Sequence, residues 1–227
     1  MRTRWVTFDC FGTLVDWHTG FETILSPLAS GRVSELKHAY HKFERIVEDE
    51  RPYRPYRDVL ITALLRAAHE IGLRLSEAQA RALPNSWAKM PLFPDVEPML
   101  TQLRAIGCRL AVLTNCDEDL FEQTQRSFRQ PFDLVVTAER VRDYKPATSH
   151  FRCFSRLSGV AHQDWIHVAC SWHHDIKPAK EIGIQAVWLD RDAMGEDSSI
   201  ASAHVRSADE VCDAAVKLYG KAHESLR

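Results

Sequence analysis

Apolar residues along this chain fall into two rhythms. Five short runs, at residues 5–8, 110–113, 134–137, 166–169 and 186–189, are rich in large or β-branched side chains and end in polar or small ones. That pattern predicts buried strands. Helix-length stretches at 120–128, 149–157 and 176–182 separate the last four. Strands alternating with helices imply parallel β-α-β units in an open, doubly wound sheet. In such a sheet, ligands bind beyond the carboxyl ends of the strands.

The stretch between the first two strands reads differently. Phe21, Ile24, Leu25 and Leu28 recur at helical spacing, as do Leu60, Leu64, Leu65 and Ala68. The run from Arg51 to Arg57 interrupts these helices, because its two prolines, Pro52 and Pro55, end helices and bias their predecessors to extended geometry. The expectation is an α-helical insert over residues 17–93, with 17–20 and 90–95 as the extended connections, and a core made of 1–16 and 94–227. The tail after Gly195 is looser and ends in one predicted helix over 208–219.

Composition narrows the class. A chain of 227 residues holds one large domain, or a core with an insert. Lys and Arg number 29 against 31 Asp and Glu, so no basic excess points to nucleic acid or an anionic membrane. No apolar run approaches the ~20 residues of a membrane span. The start, Met1-Arg2-Thr3-Arg4, leads into a run broken by Asp9, too short and polar for a secretory signal. The six cysteines are scattered, without a C-x-x-C pair, and read as reduced thiols of a cytoplasmic protein. A homodimer is the commonest assembly for such a chain.

Chemistry gathers at the predicted strand ends. The first strand ends in Asp9-Cys10-Phe11-Gly12-Thr13, the second in Thr114-Asn115. The third is followed by Asp143-Tyr144-Lys145-Pro146, and the fourth by Cys170-Ser171-Trp172-His173-His174-Asp175. Taken singly, each has an ordinary structural reading: a turn aspartate, turn polar groups, a solvated lysine, an acid complementing a helix dipole. Their order is more informative, since four polar sets at successive strand ends converge on one edge of one sheet.

Asp-x-Phe-Gly-Thr-Leu, Leu-Thr-Asn, Tyr-Lys-Pro and Ser-x-x-x-Asp, in that order, resemble the haloacid dehalogenase superfamily. The segment Phe8–Trp17 is most similar to its type II, L-2-haloacid dehalogenase branch. The resemblance implies a Rossmann-like core with an inserted helical cap, and a cap-borne specificity for a small carboxylate substrate. It also implies roles. Asp9 would attack the substrate and carry an ester that water hydrolyses. Lys145 would keep Asp9 ionised and offset negative charge. Asp175 would place lysine and water. Thr114, Asn115 and Ser171 would orient the substrate, with Phe11, Trp17, His41, Trp172 and His174 around it.

Departures from the family pattern sharpen the expectation. The family's phosphatases carry an aspartate two residues after the nucleophile, which protonates a leaving alkoxide. Phe11 cannot do this, and halide needs no such acid. Those phosphatases also place an acid where this chain has Cys170. No cofactor is therefore expected, with magnesium on Asp9 and Asp175 only under a phosphatase alternative. The type II branch, in turn, uses a cap arginine for the halide and an asparagine after the motif-four serine. Here His41 or Lys42 stands near the first place, with Arg45, Arg51, Arg54 and Arg57 as other cations, and Trp172 fills the second. His173 or His174 is a candidate substitute. A leaving group other than halide, such as the nitrogen of a strained cyclic imino acid, stays open. Tyr40, Phe43, Tyr53, Tyr56, Trp87 and Phe93 are candidate pocket aromatics.

Overall fold

The structure, a computed structural model, describes residues 3–224. Six strands form one parallel sheet in the order β3-β2-β1-β4-β5-β6. The strands are β1 (Arg4–Phe8), β2 (Cys108–Thr114), β3 (Leu134–Thr137), β4 (Trp165–Ala169), β5 (Gln185–Leu189) and β6 (Ala203–Val205). The five predicted strands are all present. The sixth, β6, was not anticipated: it is three residues long, at the sheet edge, with the polar His204 at its centre.

Alternation along the strands sends side chains to two faces. Val6, Phe8, Leu110, Val112, Ile166 and Val168 join one core, and Trp5, Ala111, Leu113, Trp165 and Ala169 the other. Both faces are buried, as a parallel sheet requires.

After β1 the chain leaves the sheet through helices α1 (Trp17–Leu25), α2 (Val33–Asp49), α3 (Tyr56–Glu70), α4 (Glu77–Ala80) and α5 (Ala82–Asn85). It returns beside its exit, where Val15 bridges Leu92 in antiparallel fashion. The helical insert is thus present, and its core is continuous with one sheet face. Residues 17–20 are not an extended connection. Asp16 caps α1 by accepting from the Thr19 N–H at 3.0 Å and the Thr19 hydroxyl at 2.6 Å, so the helix begins at Trp17.

The remaining helices flank the sheet: α6 (Val96–Ala105), α7 (Glu118–Gln125), α8 (Ala138–Val141), α9 (Ser149–Ser158), α10 (Lys177–Glu181) and α11 (Val211–Glu224). The chain turns from β2 and β3 back across β1 to β4, so the topological switch lies between β1 and β4. Asp9 and Cys170 follow those strands directly, where a crevice is expected.

Candidate active site

The floor of the crevice is built on Asp9. Its N–H still bonds the Val168 carbonyl at 3.0 Å, so the carboxylate sits at the end of the sheet ladder. The chain then turns through Gly12, at φ +91°, a conformation that L side chains rarely adopt. A Cβ there would lie 2.8 Å from Cys170 Sγ and 3.0 Å from Trp17 Nε1. The turn brings Thr13 back so that its hydroxyl donates to Asp9 Oδ2 at 2.8 Å and accepts the Cys170 N–H at 2.9 Å.

Lys145 is 2% exposed, and all three of its protons are committed. Nζ donates to Asp9 Oδ1 at 2.8 Å, to Asp175 Oδ1 at 2.7 Å and to the Leu113 carbonyl at 2.9 Å. Burial alone would lower the lysine pKa, but Asp175 and Asp9 override it and hold the ammonium well above its usual range. Asn115 fixes the lysine backbone: its Oδ1 accepts the Lys145 N–H at 2.8 Å and its Nδ2 donates to the Lys145 carbonyl at 3.2 Å.

Asp175 reaches the lysine from one turn of π-helix, Trp172–Ile176, that follows β4. The Asp175 and Ile176 N–H groups both donate to the Ser171 carbonyl at 3.2 Å. Burial opposes ionisation of Asp175, yet the Lys145 charge and the His167 hydrogen bond hold its carboxyl well below the usual range. His167 Nε2 lies 3.0 Å from Asp175 Oδ1, and its Nδ1 lies 2.8 Å from the Thr7 hydroxyl, which also accepts from Trp165 Nε1 at 2.8 Å. With the Thr7 proton directed at Nδ1, the network assigns the proton on His167 to Nε2. Asp175 Oδ2 is buried with no hydrogen-bond partner among the described residues.

The helical insert supplies the opposite wall. Phe11 packs against Trp87 at 4.6 Å between ring centroids, and Trp87 against Tyr56 at 5.8 Å. The Tyr56 hydroxyl donates to Glu44 Oε1 at 2.6 Å, as does that of Tyr40 at 2.9 Å. Glu44 Oε2 lies 3.3 Å from His41 Nδ1, and the His41 ring meets Trp17 edge-on at 4.4 Å. Burial works against the Glu44 charge, but the His41, Tyr56 and Tyr40 bonds hold its carboxyl below the usual range. One turn further along α2, Glu48 is 8% exposed and meets Asn115 Nδ2 at 3.5 Å.

Of the residues singled out from the sequence, Asp9, Asn115, Lys145 and Asp175 join one hydrogen-bonded cluster, while Phe11 packs on Trp87 and Trp17 on His41. The Ser171 hydroxyl bonds His174 Nδ1 at 3.0 Å beside them, and burial keeps His174 below its usual pKa. Others turn elsewhere. Trp172 donates to the Asp197 carbonyl at 3.1 Å and packs on the far-face core. Thr114 is buried and directs its hydroxyl at Cys116 Sγ, 3.5 Å away. Lys42 pairs with Glu70 at 2.6 Å on the outer surface. Arg51 approaches Asp143 at 3.6 Å, Arg54 pairs with Glu50 at 3.0 Å, and Arg57 pairs with Asp119. Among the six candidate aromatics, Phe93 lies under Arg191 and Tyr53 stacks on Tyr144.

Thr13, His167, Glu44 and Glu48 were not singled out as site residues. His167 did leave a signal, as the one polar residue inside an otherwise apolar strand. Helix carboxylates four apart left none, because that spacing reads as a solvated face.

The donor set does not suit magnesium. The Lys145 ammonium bridges the two carboxylates that would hold the ion, and Cys170 offers a thiol, raised by burial, where an oxygen is needed. Of the carboxylate oxygens of Asp9 and Asp175, only Asp175 Oδ2 has no hydrogen-bond partner among the described residues.

Comparisons with known proteins bear on the family. Residues 7–189 match the haloacid dehalogenase-like hydrolase family. The chain is 25% identical over 194 residues to haloacetate dehalogenase H-2 of Moraxella sp. (strain B), covering 82% of this chain and 85% of that one. It is 31% identical over 157 residues to phosphoserine phosphatase of Thermus thermophilus, but this spans 68% of the chain and 62% of the relative. A crystal structure of an L-2-haloacid dehalogenase superposes with a TM-score of 0.83 at 26% identity, covering 94% of this chain and 98% of that one. With the match spanning the sheet, the insert and all four strand-end motifs, the chain belongs to the haloacid dehalogenase-like hydrolases.

Proposed function

We infer that this protein hydrolyses a small carboxylate by displacing a leaving group at carbon, through an ester formed on Asp9. The observation that carries the reading is the setting of Asp9. Its carboxylate is held by Lys145 and Thr13 at the switch point, and Phe11 stands where a phosphatase would keep its acid.

An oxygen of Asp9 attacks the substrate carbon, the new C–O bond forms, and the leaving group departs with its electron pair. Water then attacks the Asp9 carboxyl carbon, releases the product alcohol and restores the carboxylate. Lys145 and the Thr13 hydroxyl face the oxygens on which negative charge develops in that second step. Asp175 Oδ2 and the neutral imidazole of His174 are the groups suited to orient the water and take its proton. Asn115 acts mainly by holding Lys145, so the substrate carboxylate falls to backbone N–H groups after β2 and to Ser171. Specificity belongs to the insert, whose boundaries we place at 16/17 and 93/94.

The bridging ammonium and the thiol at Cys170 favour turnover without metal over the phosphatase alternative. The haloacid dehalogenase relatives make (S)-2-chloropropionate the first substrate to try. Chloride release measured in EDTA is expected from the wild type and not from Asp9→Asn, with deamidation of the new asparagine excluded by mass. An Asp9→Asn protein keeping more than a few per cent of the rate would overturn the ester mechanism.

A further inference from the structure

The buried side of α2 carries carboxylates where a halide-releasing site needs a cation. Of the arginines considered for that task, Arg51, Arg54 and Arg57 are engaged with Asp143, Glu50 and Asp119, and Arg45 lies exposed on α2. In their place α2 presents Glu44 and Glu48, one turn apart. The two carboxyls live in different surroundings. Glu44 collects Tyr40, Tyr56 and His41 and is held ionised. Glu48 has a single long contact, 3.5 Å from Asn115, and its second oxygen has no partner among the described residues.

We propose that Glu48 is the proton donor to the leaving group, so the site favours a small carboxylate losing an oxygen or nitrogen over one losing a halide. This rests on Asp9 as the nucleophile. The placement follows from a short path of contacts. Glu48 meets Asn115, Asn115 clamps the backbone of Lys145 at 2.8 and 3.2 Å, and Lys145 Nζ meets Asp9 at 2.8 Å. The acid thus stands beside Asn115 at the end of β2, and takes over a task that Phe11 cannot perform. Burial first, then the like charges of Glu44 and Asp49, push the Glu48 carboxyl well above its usual range, which favours its protonated form. Around it lie Tyr40, Glu44 and Asp49 of its own helix, Tyr56 of α3, and Tyr144, Asn115 and Lys145 of the core. Two carboxyls driven apart by their environments is the arrangement expected of an acid and its charged neighbour.

The step balances. Asp9 oxygen bonds carbon, the C–X pair moves to X, and the Glu48 O–H bond breaks to form X–H. Hydrolysis of the ester by water later returns one proton to Glu48 and yields the alcohol. For a strained ring such as an epoxide, X stays attached as a hydroxyl. For halide, which leaves as a stable anion, the acid adds little.

Glycidate, an epoxide carboxylate, and (S)-2-chloropropionate are the two probes. Glu48→Gln is expected to lower kcat for glycidate at least ~100-fold more than for chloropropionate, within the usual range of general acid catalysis. Glu48→Asp should restore part of that difference, and thermal unfolding checks that both variants fold. An equal loss on both probes, or none on glycidate, overturns the assignment. A second readout needs no turnover: the wild type should show an infrared band of a protonated carboxyl at pH 7 that Glu48→Gln lacks. Its absence from the wild type overturns the proposal even if Asp9→Asn is inactive. Activity surviving in Asp9→Asn instead overturns the ester mechanism, whatever Glu48 does.

Discussion

Lys145 has three protons and gives one to each of two carboxylates and one to a carbonyl. A buried charge so satisfied is fixed in place, and its effect reaches neighbours. His150, fully buried, donates Nε2–H to the Thr114 carbonyl at 3.1 Å while its Nδ1 has no partner among the described residues. Burial, then the Lys145 charge, drives its pKa down to about 3. The native imidazole stays neutral, whereas the unfolded one takes a proton below its ordinary pKa of about 6.5. Stability therefore falls as pH drops from about 6.5 towards 3, by up to about 1.4 kcal/mol per unit. Asp175 adds to the loss only at the acid end of that window, because a depressed carboxyl withdraws its stability as pH falls towards and below the ordinary aspartate value of about 3.9. Lys145, raised, withdraws it only above the ordinary lysine range. Urea midpoints at pH 7, 5 and 4 should fall less steeply in His150→Gln by one proton's slope, and parallel profiles would refute this. At this scale the sequence was readable where chemistry is unusual for its position. Asp9, Lys145 and Asp175 lie in the segments that follow β1, β3 and β4, and no packing need puts them there. Glu44 and Glu48 were not readable, since only the fold turns that face of α2 inward.

Elements were legible wherever the apolar period was long enough to speak. The five predicted strands, of which β3 forms the opposite edge, are largely buried and nearly continuous in apolar residues, whereas β6 is short, edge-on and has a polar centre. The π-helical turn after β4 was not legible either. It arises from a capping arrangement, with the Ser171 hydroxyl accepting the His174 N–H at 3.1 Å, that admits one extra residue before α10. That extra residue returns the Asp175 carboxylate to the sheet edge. The junction of α1 with the returning chain shows how local sequence sets such geometry. Gly20 lies so close to Met90 that an added Cβ would sit 2.6 Å from Met90 Cγ and 3.2 Å from its Cα. Gly20→Ala gains helix propensity but must push the returning segment away. Overpacking of this kind costs roughly 1–3 kcal/mol, against at most about 1 kcal/mol gained from propensity. Chemical denaturation should show a net loss of stability. A stabilised variant would mean that the backbone at Met90 yields freely.

Across the whole molecule, sheet and helical insert hold the site between them, so catalysis depends on how firmly they are joined. The inserted helices were expected from the sequence, but their attachment was not, because it runs through single polar contacts between residues far apart in the chain. The strongest is Asp117, 4% exposed, in the loop after β2. It accepts the Tyr56 N–H at 2.7 Å and the Arg57 N–H at 2.8 Å, capping the first turn of α3 from the core side. A carboxylate here satisfies two orphan donors and complements the helix dipole. Tyr144 adds a second tie, donating its hydroxyl to the Arg54 carbonyl at 2.7 Å. Since Tyr56 also anchors Glu44, the cap of α3 determines where the acidic side of α2 stands. Asp117→Ala should cost about 0.5–2 kcal/mol, the usual range for losing a cap. Its local signature is more telling than its size. Hydrogen exchange should accelerate at the first turn of α3, while the amides of β1 and β4 keep their protection. In the same variant KM should rise more than kcat falls, because the pocket is loosened while Asp9, Thr13 and Lys145 remain in place. Uniform acceleration across sheet and insert would instead show that the two open only together, as one cooperative unit.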